Sequence, residues 1–299
     1  MTPKQRLNIL LADDGSQHAQ AAVEWLQNIS LPSQSQILVF HAFHSGQIEF
    51  VPDFERSLER TKKQLSNRGY CVESELQLGH AAEKILEIAA ARTPDLIVLG
   101  AKGLRSTVSI LLGGVAQHVV EYACCPVLIV RAPYHGFGKV LFVTDGSPAS
   151  QNAACYLTNF PLPPDAHVSM MHVLPPLQTP VMMEPYYGGA WQTVYAVPRA
   201  PQEEEAARER ETKLGEALLT RTRRLLERYG LDAAPVLTRG DAATEILNYA
   251  REHQIDLIVA GSRGLSQFKS LLMGSVSRKL VHYSNCSVLI VKAPGPGKE

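Results

Sequence analysis

Short apolar runs rich in Val, Ile and Leu recur along the chain and break each time at Gly, Asp or Ser. The first, Asn8–Ala12, ends at Asp13-Asp14-Gly15-Ser16. Runs of this length without polar alternation read as strands buried on both faces, the habit of parallel sheets. Between them the apolar spacing changes to three and four. A helix is predicted over Gln17–Asn28, capped by Ser16 or Asp14. A second strand follows over 37–42, a mostly polar helix over 53–68 and a partly alternating strand over 70–78. Residues 81–91 form a helix with Ile85, Leu86, Ile88 and Ala89 on its apolar side. Leu96–Gly100 is the fourth strand, a helix opens after Gly113-Gly114, and Val127–Val130 is the last strand. Strands alternating with helices imply a parallel sheet covered on both faces, with right-handed crossovers.

The pattern then repeats. LLADDGSQHA at 10–19 returns as LFVTDGSPAS at 141–150, DLIVLGAKGL at 95–104 as DLIVAGSRGL at 256–265, and CCPVLIVRAP at 124–133 as NCSVLIVKAP at 285–294. Asp14 and Asp145 are 131 positions apart, whereas Gly100 and Gly261 are 161 apart, so the second copy carries 30 extra residues. A repeat of this size is a duplicated domain rather than a solenoid unit. The predicted architecture is two tandem doubly wound, five-stranded, Rossmann-like domains, at 1–133 and 138–299, with a turn-rich joint at 132–138 and an insertion at about 175–201.

The richest stretch is Asp256 to Ser275. The strand Leu257-Ile258-Val259-Ala260 breaks at Gly261 and Gly264, and nine residues later Gly274-Ser275 opens a segment of helical spacing. A helix N-terminus offers free N–H groups and partial positive charge, and a Gly-Ser opening lets an anion approach the backbone and adds a hydroxyl. No Gly-Lys-Ser/Thr follows, so this is not a P-loop, nor is it G-x-G-x-x-G. Ligands in doubly wound sheets bind outside the carboxyl ends of the strands, where the strand order reverses.

The spacing G-x2-G-x9-G-S between strand and helix resembles the ATP-binding motif of the universal stress protein family. Gly261, Gly264, Gly274 and Ser275 match it. Repeat one matches at Gly100, Gly103 and Gly113 and departs at Gly114, where Ser or Thr is expected. The resemblance covers both repeats and implies strand order 3-2-1-4-5. It implies that Asp14 and Asp145 contact the nucleoside end and that Ala42 and Val173 lie against adenine. ATP is the implied ligand, with Mg2+ or Mn2+ held by its phosphates. The family often dimerises through the last strand, so an intramolecular pseudo-dimer is expected, and a further homo-oligomer stays open. Because Gly114 lacks a hydroxyl, and His80 and Ala101 replace Asp241 and Ser262, the two sites are expected to be unequal.

Apart from the resemblance, Asp145 reads either as a helix cap or as an acceptor for ribose hydroxyls or the adenine amine. Arg263 reads as a solvated loop charge and Arg278 and Lys279 as helix-surface residues. Lys plus Arg and Asp plus Glu balance at 29 each, which argues against a nucleic-acid binder. No apolar run approaches a membrane span, and the short N-terminal run meets two aspartates at once, unlike a signal peptide. Five cysteines without C-x-x-C suit a reducing cytoplasm, and Cys125 and Cys286, each before a last strand, read as small apolar packing groups. The ten histidines show no metal-ligand spacing, so no metal site built from protein side chains is expected. The insertion holds six prolines but also Met182, Met183, Tyr186, Tyr187, Trp191 and Tyr195. It reads as packing on the protein, or as a lid or a docking surface for a protein partner. The functional expectation is a cytoplasmic nucleotide-binding regulatory module, with a slow ATPase or a non-nucleotide scaffold as alternatives.

Overall fold

A computed structural model describes residues 6–32, 34–104, 111–177, 181–184, 193–196, 201–264 and 273–292. Repeat one contains β1 (Asn8–Ala12), α1 (Gln17–Asn28), β2 (Gln36–Phe43), a 3-10 helix (Ser45–Phe50) and α2 (Val51–Ser66). It continues with β3 (Cys71–Leu78), α3 (Ala81–Arg92), β4 (Leu96–Gly100), α4 (Gly114–Tyr122) and β5 (Val127–Val130). Repeat two contains β6 (Lys139–Val143), α5 (Pro148–Leu157), β7 (His167–Leu174), β8 (Val181–Glu184), β9 (Thr193–Ala196) and α6 (Pro201–Glu227). It ends with β10 (Ala234–Arg239), α7 (Ala242–Glu252), β11 (Leu257–Gly261), α8 (Ser275–Tyr283) and β12 (Ser287–Val291). The helix predicted over 53–68 begins at Val51, because Pro52 suits a first helical turn and the 3-10 helix feeds directly into it.

Each repeat has strand order 3-2-1-4-5. The two sheets join into one of ten strands, β10-β7-β6-β11-β12-β5-β4-β1-β2-β3. All pairings in the large sheet are parallel except the central one, where β12 runs antiparallel to β5 with Leu289 opposite Leu128, Val288 opposite Ile129 and Ile290 opposite Val127. Both strands are wholly buried. A short apolar edge left open in each repeat would template further pairing, and each copy closes the edge of the other.

Side chains alternate across the sheet, so two cores form, one on each face, and both run through the two repeats. Leu11, Leu128, Phe142 and Leu289 face one core, and Leu10, Ile129, Leu141 and Ile290 face the other. Trp25 of α1 is fully buried between Phe137 of the joint and Phe160 of repeat two, with ring centroids 5.8 and 5.7 Å away. The Tyr156 hydroxyl donates to Asp95 O at 3.2 Å, a second link between repeats. Ser16 and Ser147 cap α1 and α5 by accepting from Ala19 N and Ser150 N. The cap is therefore the serine, and Asp14 and Asp145 are released from that duty.

In the insertion, β8 and β9 pair as an antiparallel ribbon apart from the large sheet. Tyr186, Tyr187 and Trp191 lie outside the described residues. The ribbon escaped the sequence reading because two four-residue strands give too little alternation to register among prolines. The exposed pairs Arg208–Glu204 and Lys213–Glu209 lie along α6 at i,i+4, a solvated face of small energetic worth.

All five cysteines are unpaired thiols. Burial pushes Cys125 and Cys286 up to about 12. At pH 8 this lowers their thiolate fraction about a thousandfold relative to an ordinary thiol. In the native protein Cys71, which is exposed, is expected to react with iodoacetamide long before these two, read by peptide mass spectrometry. Comparable rates would contradict the packing role. Backbone amides of β5 and β12 are expected to exchange only through global unfolding, and fast exchange in both strands would contradict the central pairing.

Candidate functional site

The strand order reverses between β1 and β4, and β1 ends there in a sharp turn. Gly15, at φ +74°, takes a left-handed conformation that favours glycine, and Gly146 does the same in repeat two at φ +77°. The Asp13 carboxylate is buried and accepts from Thr61 Oγ1 at 2.7 Å and Gly15 N at 2.9 Å. Asp14 turns the other way. Its Oδ1 accepts from Ser16 N at 3.0 Å and its Oδ2 from Leu104 N at 3.2 Å. Ser16 Oγ also donates to Lys102 O at 3.0 Å. The turn after β1 is thus stitched to the glycine loop after β4.

That stitching explains two of the three loop glycines. A Cβ on Gly100 would sit 2.6 Å from the His18 carbonyl carbon and 2.7 Å from Ala19 N, so this glycine lets α1 approach β4. A Cβ on Gly103 would sit 2.5 Å from Asp14 Oδ2. Repeat two has the same constraints: Gly261 faces the Ala149 backbone at 2.8 Å and Gly264 faces Asp145 Oδ2 at 2.6 Å. Asp145 Oδ1 accepts from Ser147 N at 2.9 Å.

The remaining positions open the helices. Gly113 N donates to Ala101 O and Gly274 N to Ser262 O, both at 2.8 Å, so these two amides seat the helix and are spent. The first bonds within α4 and α8 are Gln117 N to Gly113 O and Arg278 N to Gly274 O, each at 3.0 Å. The amides of Gly114, Val115 and Ala116, and of Ser275, Val276 and Ser277, come before them and lack intrahelical acceptors. Among the described residues neither helix has a side-chain cap. Gly114 has open space, with nothing among the described residues within 4 Å of the place a Cβ would take.

In repeat one these parts surround a cavity of about 470 Å³. Asp14, Ala42, Gly100, Gly103, Gly113 and Gly114, the six residues singled out in the sequence, all line it. Its other walls include Phe40, His41, His44, Gln47, Phe54, His80 and Lys102. Most of these come from the end of β2 and the connector to α2, where a 3-10 helix gives no hydrophobic period to read. His41 Nδ1 lies 2.6 Å from Asp13 O, and its ring packs on Phe54 at 4.5 Å. A carbonyl only accepts, so Nδ1 carries the hydrogen, and Nε2 of the neutral ring is an acceptor. His172 repeats the bond to Thr144 O at 2.8 Å.

In repeat two Asp145 follows β6, Val173 is the penultimate residue of β7, Gly261 ends β11 and Gly264 follows it, and Gly274-Ser275 open α8. All six lie on the equivalent carboxyl edge; part of the loop, 265–272, is outside the described residues. Asp241 caps α7 through Thr244 N at 3.0 Å and pairs with Lys279 at 3.6 Å. Bonds from Thr244 hold its carboxyl below the usual range. Arg278, read as a surface residue, is half exposed but pairs with Glu121 of repeat one at 2.8 Å. Arg263 is exposed. Among the described residues no three His, Cys, Asp or Glu side chains gather to hold a metal ion, and no helix is long and apolar enough to cross a membrane.

The universal stress protein family model matches residues 6–131 and again 136–292. The chain belongs to the universal stress protein family. A universal stress protein of Thermus aquaticus is 38% identical over 133 residues, 41% of this chain and 97% of its own length. One from Mycolicibacterium smegmatis is 24% identical over 314 residues, covering 95% of this chain and 96% of its own. The crystal structure of a universal stress protein from Archaeoglobus fulgidus superposes with a TM-score of 0.64 over 96% of both chains, at 18% identity, a likeness of fold. Another member, solved in complex with cAMP, aligns with 43% of this chain and 98% of its own at 21% identity and TM-score 0.34, too little to carry its ligand over.

The glycine geometry separates fold from site. Gly100→Ala is expected to cost about 1–3 kcal/mol by overpacking against α1, and Gly114→Ala to cost nothing or to stabilise slightly. Urea denaturation reads both. Equal midpoints for the two variants would refute the packing role of Gly100.

Proposed function

We propose that this universal stress protein is a regulatory ATP-binding module rather than a dedicated enzyme. The observation that carries the reading is an uncapped helix N-terminus at one side of a largely apolar cavity with a carboxylate at the strand switch point. The adenine would lie against Ala42 in repeat one and Val173 in repeat two. Asp14 and Asp145 would accept from ribose or the adenine amine; each carboxylate oxygen has more than one lone pair, so the turn bonds leave capacity. Phosphates would meet the loop and helix opening at Gly103, Gly113 and Gly114, or at Gly264, Gly274 and Ser275, with Mg2+ or Mn2+ carried by the phosphates. Gly100 and Gly261 act on the site indirectly, by fixing the distance between strand 4 and the first helix. The free thiols and balanced charge favour a cytoplasmic setting, with a protein partner as the reader of the nucleotide state.

Gly114 faces open space, so a hydroxyl there is sterically permitted. A hydrogen bond to a charged phosphate is worth about 1.5–3 kcal/mol, roughly 10- to 150-fold in affinity. Gly114→Ser is therefore expected to tighten ATP binding in repeat one, and Gly274→Val to weaken it in repeat two. Isothermal calorimetry of the folded variants reads both effects, and multiple-turnover phosphate release tests for hydrolysis. Unchanged ATP affinity in Gly274→Val would overturn the site assignment.

A further inference from the structure

Arg131 directly follows β5 and is only 9% exposed. Among the described residues its side chain bonds to carbonyls. Nη1 donates to Leu111 O at 2.7 Å and Nη2 to Val281 O at 2.9 Å. Nε is buried with no partner among those residues, and the backbone N donates to Ser287 Oγ at 3.1 Å. Leu111 lies two residues before Gly113, on the chain that enters the helix start of repeat one. Val281 lies in the last turn of α8, where carbonyls lack intrahelical donors and carry the negative end of the helix dipole. One rigid fork thus spans the repeat-one loop and the helix whose other end opens the repeat-two site. A lysine, with a single nitrogen on a flexible stem, does not hold two such acceptors in fixed geometry.

The pseudo-symmetric position carries a related contact. Lys292 follows β12 and donates to Glu121 O at 3.1 Å, in the last turn of α4. Arg278 of α8 reaches the Glu121 carboxylate at 2.8 Å. Each site-opening helix therefore has its C-terminal end held by a cation that directly follows the last strand of the other repeat, and Arg131 reaches its own glycine loop as well.

We propose that Arg131 is a positioning residue for the repeat-one loop and that it couples the two sites. A shift of α8 moves Val281 O, the guanidinium follows, and Leu111 carries the displacement to Gly113 and Gly114. Positioning stands on the geometry alone; coupling rests on the nucleotide-binding reading above.

The first test needs no nucleotide. In Arg131→Lys the Gly113 amide, which donates to Ala101 O, is expected to exchange about tenfold faster than in the parent. Arg278→Gln, which removes only the half-exposed ion pair, is expected to leave it protected. Arg131→Gln is the second variant and carries the same expectation if Arg131→Lys does not fold. An unchanged Gly113 rate overturns the positioning role. The second test is calorimetry with ATP on the parent and on Gly274→Val, each with Arg or Lys at 131. Coupling energies between sites commonly correspond to 5- to 150-fold in affinity. Blocking repeat two is expected to change repeat-one affinity at least about fivefold with Arg131 and less than about twofold with Lys. Equal effects in both backgrounds overturn the coupling. Absence of ATP binding to every protein overturns coupling and the nucleotide reading together, and the exchange result then decides positioning separately.

Discussion

The antiparallel pairing of β5 with β12 is the constraint on which the rest depends. It converts two five-stranded sheets, each with an apolar edge, into one sheet with both faces covered along its length. The pairing makes the two hydrophobic layers continuous from one repeat to the other. It also brings each repeat's last strand beside the C-terminal end of the other repeat's fourth helix, which is where Arg131 and Lys292 find their carbonyls. An isolated repeat would lose the cover of its edge strand and the helix-end carbonyl that its cation reaches in the other repeat.

At the carboxyl edge, one set of residues meets two demands. The turn after β1 must bind the loop after β4 tightly enough to fix the helix start, and the helix start must keep amides free. Ser16, Asp14 and the spent amide of Gly113 satisfy the first demand. The absence, among the described residues, of a side-chain cap on α4 and α8 leaves the second open. Backbone atoms take the place of a side chain at 100 and 261, and at 103 and 264 glycine leaves room for the carboxylate of Asp14 or Asp145. A motif that reads as a ligand signature is, for two of its three glycines, a packing signature.

The two repeats have diverged most in the connector from strand 2 to the second helix. Repeat one uses a 3-10 helix that adds His44 and Gln47 to its cavity. Repeat two places a longer segment there, including the β8–β9 ribbon, before α6. The divergence falls on the wall of the candidate site, while the strands and helix openings keep their geometry.

The sequence alone determined the duplication, the strands of the large sheet and the glycine motif, because these signals are local: buried parallel strands are unbroken apolar runs, and loops break them with Gly and Asp. Asn8–Ala12, Gln17–Asn28, Leu96–Gly100 and Val127–Val130 were legible to the residue. Strand order came from the family resemblance rather than from periodicity. Tertiary structure decided that Ser16 rather than Asp14 caps α1, that Gly100 serves α1 packing, and that the connector supplies His44 and Gln47, and α2 supplies Phe54, to the cavity. It decided as well that Arg131 bridges Leu111 and Val281, 20 and 150 positions away in the chain. These outcomes depend on which residues the sheet order and the central register bring within a few ångströms, and no local pattern of hydrophobic and polar positions encodes a distance between segments so far apart.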